Sequence, residues 1–231
     1  MGTRHLIAVV KDNEFKVAQY GQWDGYPSGQ GAAVLSFLRT PGNLQRLTEG
    51  LANVRFATEE DHDRINAAAG IPEGSQFMTM EQANTRSEMA PGLSRDTSAK
   101  VLDLIADSTE EVLVNDQHEF AGESLFCEWA YVVDLDTNTF EAHVGFQKVP
   151  HTDGRFADYP RAENQGVASE YYPVRLMATW PLDSLPEQEA FEKICYGIER
   201  SYSDEYAPGE YDEDSPEAIA GPIVFAGVMS A

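Results

Sequence analysis

The sequence predicts an α+β fold, with a mainly antiparallel sheet and packed helices, in one domain. Strand-like segments occur in pairs that are joined by short turns, whereas helix-like segments are grouped between those pairs. A regular alternation of strand and helix, which is typical of a parallel sheet, is absent. The chain has 231 residues and 42% hydrophobic content, which is enough for a sizeable core.

The first strand pair opens the chain. An apolar run over residues 5–10 is followed by turn residues and then by an alternating segment over 15–20. This pattern predicts an antiparallel hairpin whose first strand is buried on both faces. Residues 21–31 then contain four glycines, one proline and two large aromatic residues, which predicts a constrained loop. A helix is expected over residues 32–38.

The middle of the chain predicts further helices. Apolar spacing favours helices over residues 43–54 and 59–69, with Thr58 as the N-cap of the second and Asp61 three residues later. Residues 70–95 mix Gly, Pro, Ser and Met and give no clear pattern. The remaining elements are a helix, a strand, a second hairpin, a strand and a last helix. They are expected over residues 97–107, 112–114, 124–134 paired with 139–145, 172–180 and 186–200.

The charge distribution excludes some partners. The formal net charge is −23, and most of the excess acid lies after residue 100. Nucleic acid and anionic membranes are therefore not expected as partners, because phosphate binding needs clustered cations. We predict a domain over residues 1–202 and an acidic, partly mobile segment with an apolar end over 203–231. Two cysteines, and the absence of a signal-peptide pattern or a long apolar run, favour a soluble cytoplasmic protein.

Candidate functional residues are densest near the start of the chain. Polar and aromatic side chains on a loop that follows two strands commonly serve a ligand, because buried amides and carboxylates need partners. The predicted ligand-binding residues are Arg4, His5, Gln22, Trp23, Asp24, Tyr26, Ser28 and Gln30. A structural role for the same loop stays open, with Asp24 or Ser28 bonding its backbone. No cofactor is predicted.

A metal site is not predicted either. The segment Asp134-x-Asp136-x-Asn138 imitates the start of a calcium loop, but Thr139 and Gly145 stand where that loop needs Gly and Glu. The two cysteines, Cys127 and Cys195, lie in apolar segments and are expected to be core thiols.

Several motifs carry a resemblance to a known family. Thr3-Arg-His-Leu-Ile7, residues 17–31 with YGQWDGYPSGQG, and the later segments 125–136 and 171–175 resemble an uncharacterised family found in bacteria, phages and fungi. The first thirty residues more distantly resemble N-terminal-nucleophile hydrolases. This second resemblance implies αββα layers, with Thr3 and Asp24 as catalytic residues. Thr3 would act there as an amide-attacking nucleophile with its own α-amine as base, which requires removal of Met1 and Gly2.

Three functional hypotheses follow. The first is a small-ligand-binding protein on an N-terminal-nucleophile-like scaffold that has lost its terminal nucleophile. The second is an amide hydrolase, using a processed Thr3 or using Ser28 or Cys127 with a histidine. The third is a regulatory interaction protein that acts through its acidic C-terminal part. A protein partner or a homo-oligomer is compatible with each.

Overall fold

A computed structural model describes residues 2–75, 77–164, 167–205 and 223–224. The strands β1 to β10 span His5–Lys11, Glu14–Gly21, Val54–Phe56, Val112–Val114, Trp129–Asp134, Thr139–Val144, Glu163–Asn164, Val167–Ala168, Arg175–Pro181 and Ile223–Val224. The helices α1 to α6 span Ala32–Arg39, Asn43–Gly50, Glu59–Ala68, Met80–Met89, Lys100–Ala106 and Gln188–Glu205. Short helical turns lie at Pro27–Gly31, Leu51–Asn53, Pro91–Leu93 and His118–Gly122.

The fold is built on one mixed sheet with the strand order β10-β9-β6-β5-β1-β2. The pairs β1–β2, β5–β6 and β6–β9 are antiparallel, whereas β1–β5 and β9–β10 are parallel. The predicted α+β class is therefore confirmed. Two small sheets are separate from it: β3 and β4 pair in parallel, and β7 and β8 pair antiparallel.

The two faces of the large sheet are covered differently. Because side chains alternate along a strand, Ile7 and Val9 face one way, and Leu6 and Ala8 face the other. The first face packs against α1, α2, α5 and α6, around an aromatic core of Tyr131, Phe140, Trp180 and Phe191. The second face is covered by irregular segments that include Ala121, Cys127, Phe156 and Val174.

The αββα layering implied by the hydrolase resemblance is not what this part of the chain forms. Such a sandwich needs a second large sheet facing the first. Within the described residues, irregular segments occupy that position, and the other sheets have only two strands each.

The predicted opening hairpin is confirmed. Its register runs from His5 opposite Gly21 to Lys11 opposite Glu14, and residues 5–10 are all buried. The turn residues Asp12 and Asn13 have φ values of 59° and 58°, in the left-handed region that suits tight hairpin turns. The second hairpin is confirmed too, although its first strand begins at Trp129 instead of residue 124.

The middle of the chain differs in two ways from the prediction. The helix expected over 43–54 ends at Gly50, and Val54–Phe56 forms β3, which a helical apolar spacing had masked. The unassigned stretch 70–95 contains α4. This helix buries none of its residues, so it has no apolar stripe to indicate it, but the capping pair Thr79 and Gln82 was a usable signal. The predicted cap of α3 by Thr58, with Asp61, is confirmed.

The C-terminal prediction is only partly covered by the structure. Helix α6 continues to Glu205, past the expected boundary at residue 202, and Ile223–Val224 pair with β9. The rest of the predicted acidic segment lies outside the described residues. None of the helices in the described part of the chain combines the length and the apolar character needed to cross a bilayer.

Two glycines give a matched test of the packing between helices. A Cβ on Gly50 would overlap with the backbone carbonyl of Ile105 on α5, whereas a Cβ on Gly197 in α6 would meet no atom within 4 Å. We expect Gly50→Ala to lower the free energy of unfolding by about 1–3 kcal/mol, because it overpacks the interface. Gly197→Ala should raise it by up to about 1 kcal/mol through helix propensity. Urea unfolding of both variants measures the difference, and equal effects would contradict this account.

Candidate functional site

The start of the chain brings three predicted site residues together. The Gly25 N–H donates to the carbonyl of Thr3 at 2.9 Å, which folds the loop after β2 back over the start of β1. The carboxylate of Asp24 then lies close enough to His5 to favour its protonated form. Arg4, the residue between Thr3 and His5, makes its contacts elsewhere, through its guanidinium over the ring of Phe126.

The loop side chains bond mainly to the protein itself. Trp23, Asp24, Tyr26 and Ser28 are exposed, Trp23 by 50%. The Tyr26 hydroxyl donates to Asp24 Oδ1 at 3.1 Å, and Ser28 Oγ shares a 2.8 Å hydrogen bond with the hydroxyl of Tyr196. These contacts agree with the structural alternative. A ligand role for the loop stays a prediction.

Gln30 and Trp23 also make structural contacts. Gln30 Oε1 accepts a hydrogen bond from the backbone N–H of Ala99 at 3.1 Å, just before α5. The indole ring of Trp23 lies against Gly2, where a Cβ would come within 2.6 Å of the ring. The loop is therefore tied to the body of the domain at several points.

The two internal nucleophiles considered for amide hydrolysis contact groups other than histidine in the described part of the chain. Cys127 is fully buried, and burial raises the pKa of its thiol well above the ordinary value. Its Sγ lies 3.5 Å from the carbonyl oxygen of Trp129. Ser28 Oγ meets the Tyr196 hydroxyl and not an imidazole. A thiol held protonated in the core is a poor nucleophile, so these contacts do not favour the hydrolytic role of Cys127.

His5 occupies a close-packed polar site on the helix-covered face. It is fully buried, and neither ring nitrogen has a well-formed hydrogen bond within the described residues. Burial lowers its pKa to about 4, against smaller opposing effects of the Thr3 carbonyl and Asp24. Gly21 is required beside it, because a Cβ there would overlap with the imidazole ring. His5 is therefore held as a neutral ring near pH 7.

A cavity of about 870 Å³ lies at the second face of the sheet, beside Tyr20 near the end of β2. Its aromatic lining comes from Tyr20, Phe120, Phe126 and Tyr159. Its charged lining comes from Asp116, Glu119, Glu123, Glu163 and Arg161, and His118 also faces it. The cavity thus combines apolar aromatic walls with four carboxylates and one arginine.

Asp116 and His118 form a hydrogen-bonded pair in this lining. Asp116 Oδ1 lies 2.6 Å from His118 Nδ1, and the imidazole stacks on Phe15 at 5.4 Å between ring centroids. We assign the proton to Nδ1 from this contact, which leaves Nε2 free to accept a proton or a hydrogen bond. The pair is therefore chemically suited to act as a base.

Strand β2 holds this pair in place. The Gln117 N–H donates to the carbonyl of Ala18 at 3.1 Å, and Gln117 Oε1 accepts from the N–H of Tyr20 at the same distance. Ala18 and Asp116 also form an isolated parallel bridge. The segment that carries the pair thus continues the hydrogen bonding of the sheet edge, so its position is fixed by rigid structure.

Two residues predicted from the sequence touch the cavity lining. The guanidinium of Arg4 stands 4.4 Å from the centroid of the Phe126 ring, and Gln22 Oε1 accepts the hydroxyl of Tyr20 at 2.6 Å. The lining residues themselves were missed. Asp116-x-His118 was the available signal, but nothing local showed that it meets Tyr20 and Tyr159 across the sheet.

A buried charge cluster lies on the same face of the sheet as the cavity. Arg155 donates to Asp134 Oδ2 at 2.5 Å and to both oxygens of Glu141 at 2.6 and 2.8 Å. Burial alone would raise the pKa of Glu141, but the hydrogen bonds from Arg155 and His143 lower it to about 2. The His143 ring packs edge-on against Phe156, which in turn meets Tyr159 of the cavity wall. The cluster therefore supports the segment that supplies Tyr159.

The chain shows no match to any protein-family model, any curated protein or any solved structure.

Proposed function

We propose that the protein binds a small, positively charged organic molecule in the cavity beside His118. The observation that carries this proposal is the composition of the lining, which contains four aromatic residues, four carboxylates and one arginine. Aromatic faces attract cations through the ring quadrupole, by about 0.5–2 kcal/mol each depending on desolvation. The carboxylates of the lining add a Coulombic attraction for a cationic ligand, and they would repel an anionic one. This keeps the ligand binding of the first hypothesis, but it moves the site from the loop to the cavity and does not rely on the αββα scaffold.

The single arginine does not offset the acidic lining. The guanidinium of Arg161 stands 4.8 Å from the centroid of the Tyr172 ring, and its Nη1 donates to the carbonyl of Ser169 at 3.2 Å. Part of its hydrogen-bonding capacity is therefore used by the protein. Glu119 and Glu123, in contrast, carry charge without a basic partner among their hydrogen bonds in the described residues.

The protein itself supplies an example of the proposed recognition. Arg4 places its guanidinium over the face of Phe126, at the wall of the cavity. Phe126 as a residue is 41% exposed, so it is not fully covered by Arg4. A ligand cation beside Phe120 or Tyr159 would use the same interaction.

A catalytic role is supported by one further observation. His118, oriented by Asp116, can accept a proton from a bound molecule or from water through Nε2. This would make the protein an enzyme of the hydrolytic class considered from the sequence, with a histidine base in place of the α-amine of Thr3. Turnover that His118→Gln abolishes, with ligand binding retained, would support this second candidate.

The test compares choline with its uncharged isostere 3,3-dimethyl-1-butanol in NMR titrations of the full chain. We expect choline to shift signals of the cavity residues and to bind at least tenfold more tightly than the alcohol. Phe120→Leu and Glu123→Gln should each weaken choline binding. At a hundredfold excess over Kd, a ligand stabilises the fold by about 2.7 kcal/mol, which thermal unfolding detects.

The matched controls are Trp23→Ala and Asp24→Ala in the exposed loop. They should leave choline binding unchanged if the ligand occupies the cavity. If they abolish binding while the cavity variants do not, the ligand site lies at the loop, as the sequence predicted. If neither probe shifts any cavity signal at millimolar concentration, the proposed function is wrong.

A further inference from the structure

Three large apolar side chains stand in solvent near the start of α4. Phe77 is 85% exposed, Met80 is 80% exposed and Met78 is 51% exposed. We call these three residues the α4 patch. Isolated exposed apolar residues are ordinary, but three such residues within four positions of the chain are an exposed apolar cluster of the kind that marks an interaction site.

Helix α4 lacks the burial that normally stabilises a helix of its length. It has ten residues, and none of them is buried. Helices this short are marginal in water, and in proteins their stability comes mainly from packing of an apolar face. Side-chain hydrogen bonds join α4 to the body: Arg86 Nε donates to Asn66 at 2.9 Å, and Gln82 Nε2 donates to the carbonyl of Gly70 at 2.5 Å.

The surroundings of the α4 patch are strongly acidic. Residues 57–90 contain seven Asp and Glu residues and two arginines. Both arginines already have partners, Arg64 in an ion pair with Asp61 and Arg86 in hydrogen bonds to Asn66 and His62. Arg55, just before this segment, also forms an ion pair with Asp61. Counting it, seven acidic residues face three arginines, so this side of the domain keeps an acidic excess.

Two of these carboxylates line a small hollow next to the patch. A cavity of about 220 Å³ is lined by Asp63, Glu73 and Ser75, among others. Ser75 Oγ donates to the backbone carbonyl of Phe77 at 2.6 Å, which holds the hollow beside the patch. An apolar surface and a charged concavity thus lie side by side.

We propose that the α4 patch is a docking site for a basic amphipathic helix of a protein partner. Its apolar face would cover Phe77, Met78 and Met80, and its Lys or Arg side chains would meet carboxylates such as Asp63 and Glu73. Methionine suits this use because its unbranched, polarisable side chain adapts to different apolar surfaces. Charge complementarity selects this partner: an acidic helix or an anionic lipid surface would be repelled.

This surface is independent of the ligand cavity. It uses none of the cavity residues, and it lies outside the acidic C-terminal segment to which the third hypothesis assigned partner binding. The proposed docking of a basic helix can therefore be correct even if the cavity binds no small ligand.

The experiment uses three fluorescent synthetic peptides of fourteen residues and the full chain, with binding followed by anisotropy. One peptide arranges Leu and Lys as an amphipathic helix, the second replaces Lys by Glu, and the third replaces Leu by Ser and keeps the charge. We expect only the Leu/Lys peptide to bind well. The double variant Phe77→Ser, Met80→Ser should weaken that binding at least tenfold, whereas Met89→Ser, at the other end of α4, should leave it unchanged.

Because all three changed side chains are exposed, the variants should keep the parent's circular dichroism spectrum and melting temperature. Equal binding of the Leu/Lys and Lys/Ser peptides would mean attraction by net charge alone and would overturn the proposal. Retained binding in the double variant would overturn it as well. Sedimentation tests the alternative occupant. If the parent chain self-associates and the double variant does not, the patch binds a second copy of the chain instead.

Discussion

Arg155→Met is expected to lower the free energy of unfolding by about 3–5 kcal/mol, because it leaves two buried carboxylates without their cation. The side chains of Asp134 and Glu141 are only 5% and 12% exposed, and Arg155 bonds to both. Methionine has a similar length and fills the space without supplying donors. Equilibrium unfolding in urea at pH 7 measures the loss.

The matched control is Arg39→Met. Arg39 also forms an ion pair, with Glu187, but that carboxylate is 79% exposed. Water can solvate both partners when the pair is broken, so this variant should lose far less stability than Arg155→Met. A similar loss in the two variants would mean that burial does not set the cost of removing the cation.

Two further measurements identify the unpaired charge as the cause. Lowering the pH should reduce the difference in the free energy of unfolding between Arg155→Met and the parent, because a protonated, neutral carboxyl is not stabilised by the guanidinium charge. Adding Asp134→Asn and Glu141→Gln to Arg155→Met should recover much of the lost stability, since the buried charges are then gone. If the loss persists in that triple variant, it comes from packing and not from charge.

The same cluster shows why part of the fold was predictable and part was not. The opening hairpin depends on a local apolar run and a local turn, so residues 5–20 contain the information that forms it. The cluster joins Asp134, Glu141 and Arg155 across two strands and a later irregular segment. The strand register brings these three residues together, and no local pattern in the sequence predicts that register.

The sheet layout shows the same limit. Strands β3 and β4 have three residues each and pair across fifty-eight positions of the chain, between Val54 and Val112. Strand β4 was predicted from the sequence, but β3 was not. The three residues of β3 are too few for a clear alternation, so the helical spacing before them dominated the prediction there. The parallel pairing of β1 with β5 likewise depends on tertiary packing, although both strands were predicted singly.

For the candidate site, the sequence found residues near the cavity but not its walls. Arg4 and Gln22 were predicted as members of the dense polar and aromatic cluster near the start of the chain, and each contacts a wall residue. Asp116, His118 and Tyr159 lie about a hundred or more residues later and reach Tyr20 only because their segments cover the second face of the sheet. In the sequence, the polar side chains of the loop had no visible structural partners, and this favoured a ligand role for them. Tyr196 and Ala99 are the distant partners that the sequence could not show for Ser28 and Gln30.

The second large expected effect is the pH dependence of stability that His5 causes. Its sign follows from the lowered pKa of the imidazole. Unfolded, its imidazole titrates near 6.5, whereas in the fold burial lowers the pKa to about 4. The fold therefore favours the neutral ring. This contribution is fully present above pH 6.5 and is lost as the pH falls toward 4. The difference corresponds to about 3 kcal/mol of stability.

His5→Leu tests this assignment, because leucine fills a comparable volume without titrating. The parent should lose about 3 kcal/mol between pH 6.5 and 4, and the variant should lose much less over that range. Below pH 4.5 both should lose stability, since the pKa of Glu141 is lowered to about 2 and its contribution disappears as the pH falls through that lower range. The two pH ranges distinguish the two faces of the sheet. The loss between pH 6.5 and 4 comes from His5 on the helix-covered face, and the loss at lower pH comes from Glu141 on the other face. An unchanged loss in His5→Leu between pH 6.5 and 4.5 would show that another group carries it, and that the imidazole finds a partner or solvent which relieves its burial.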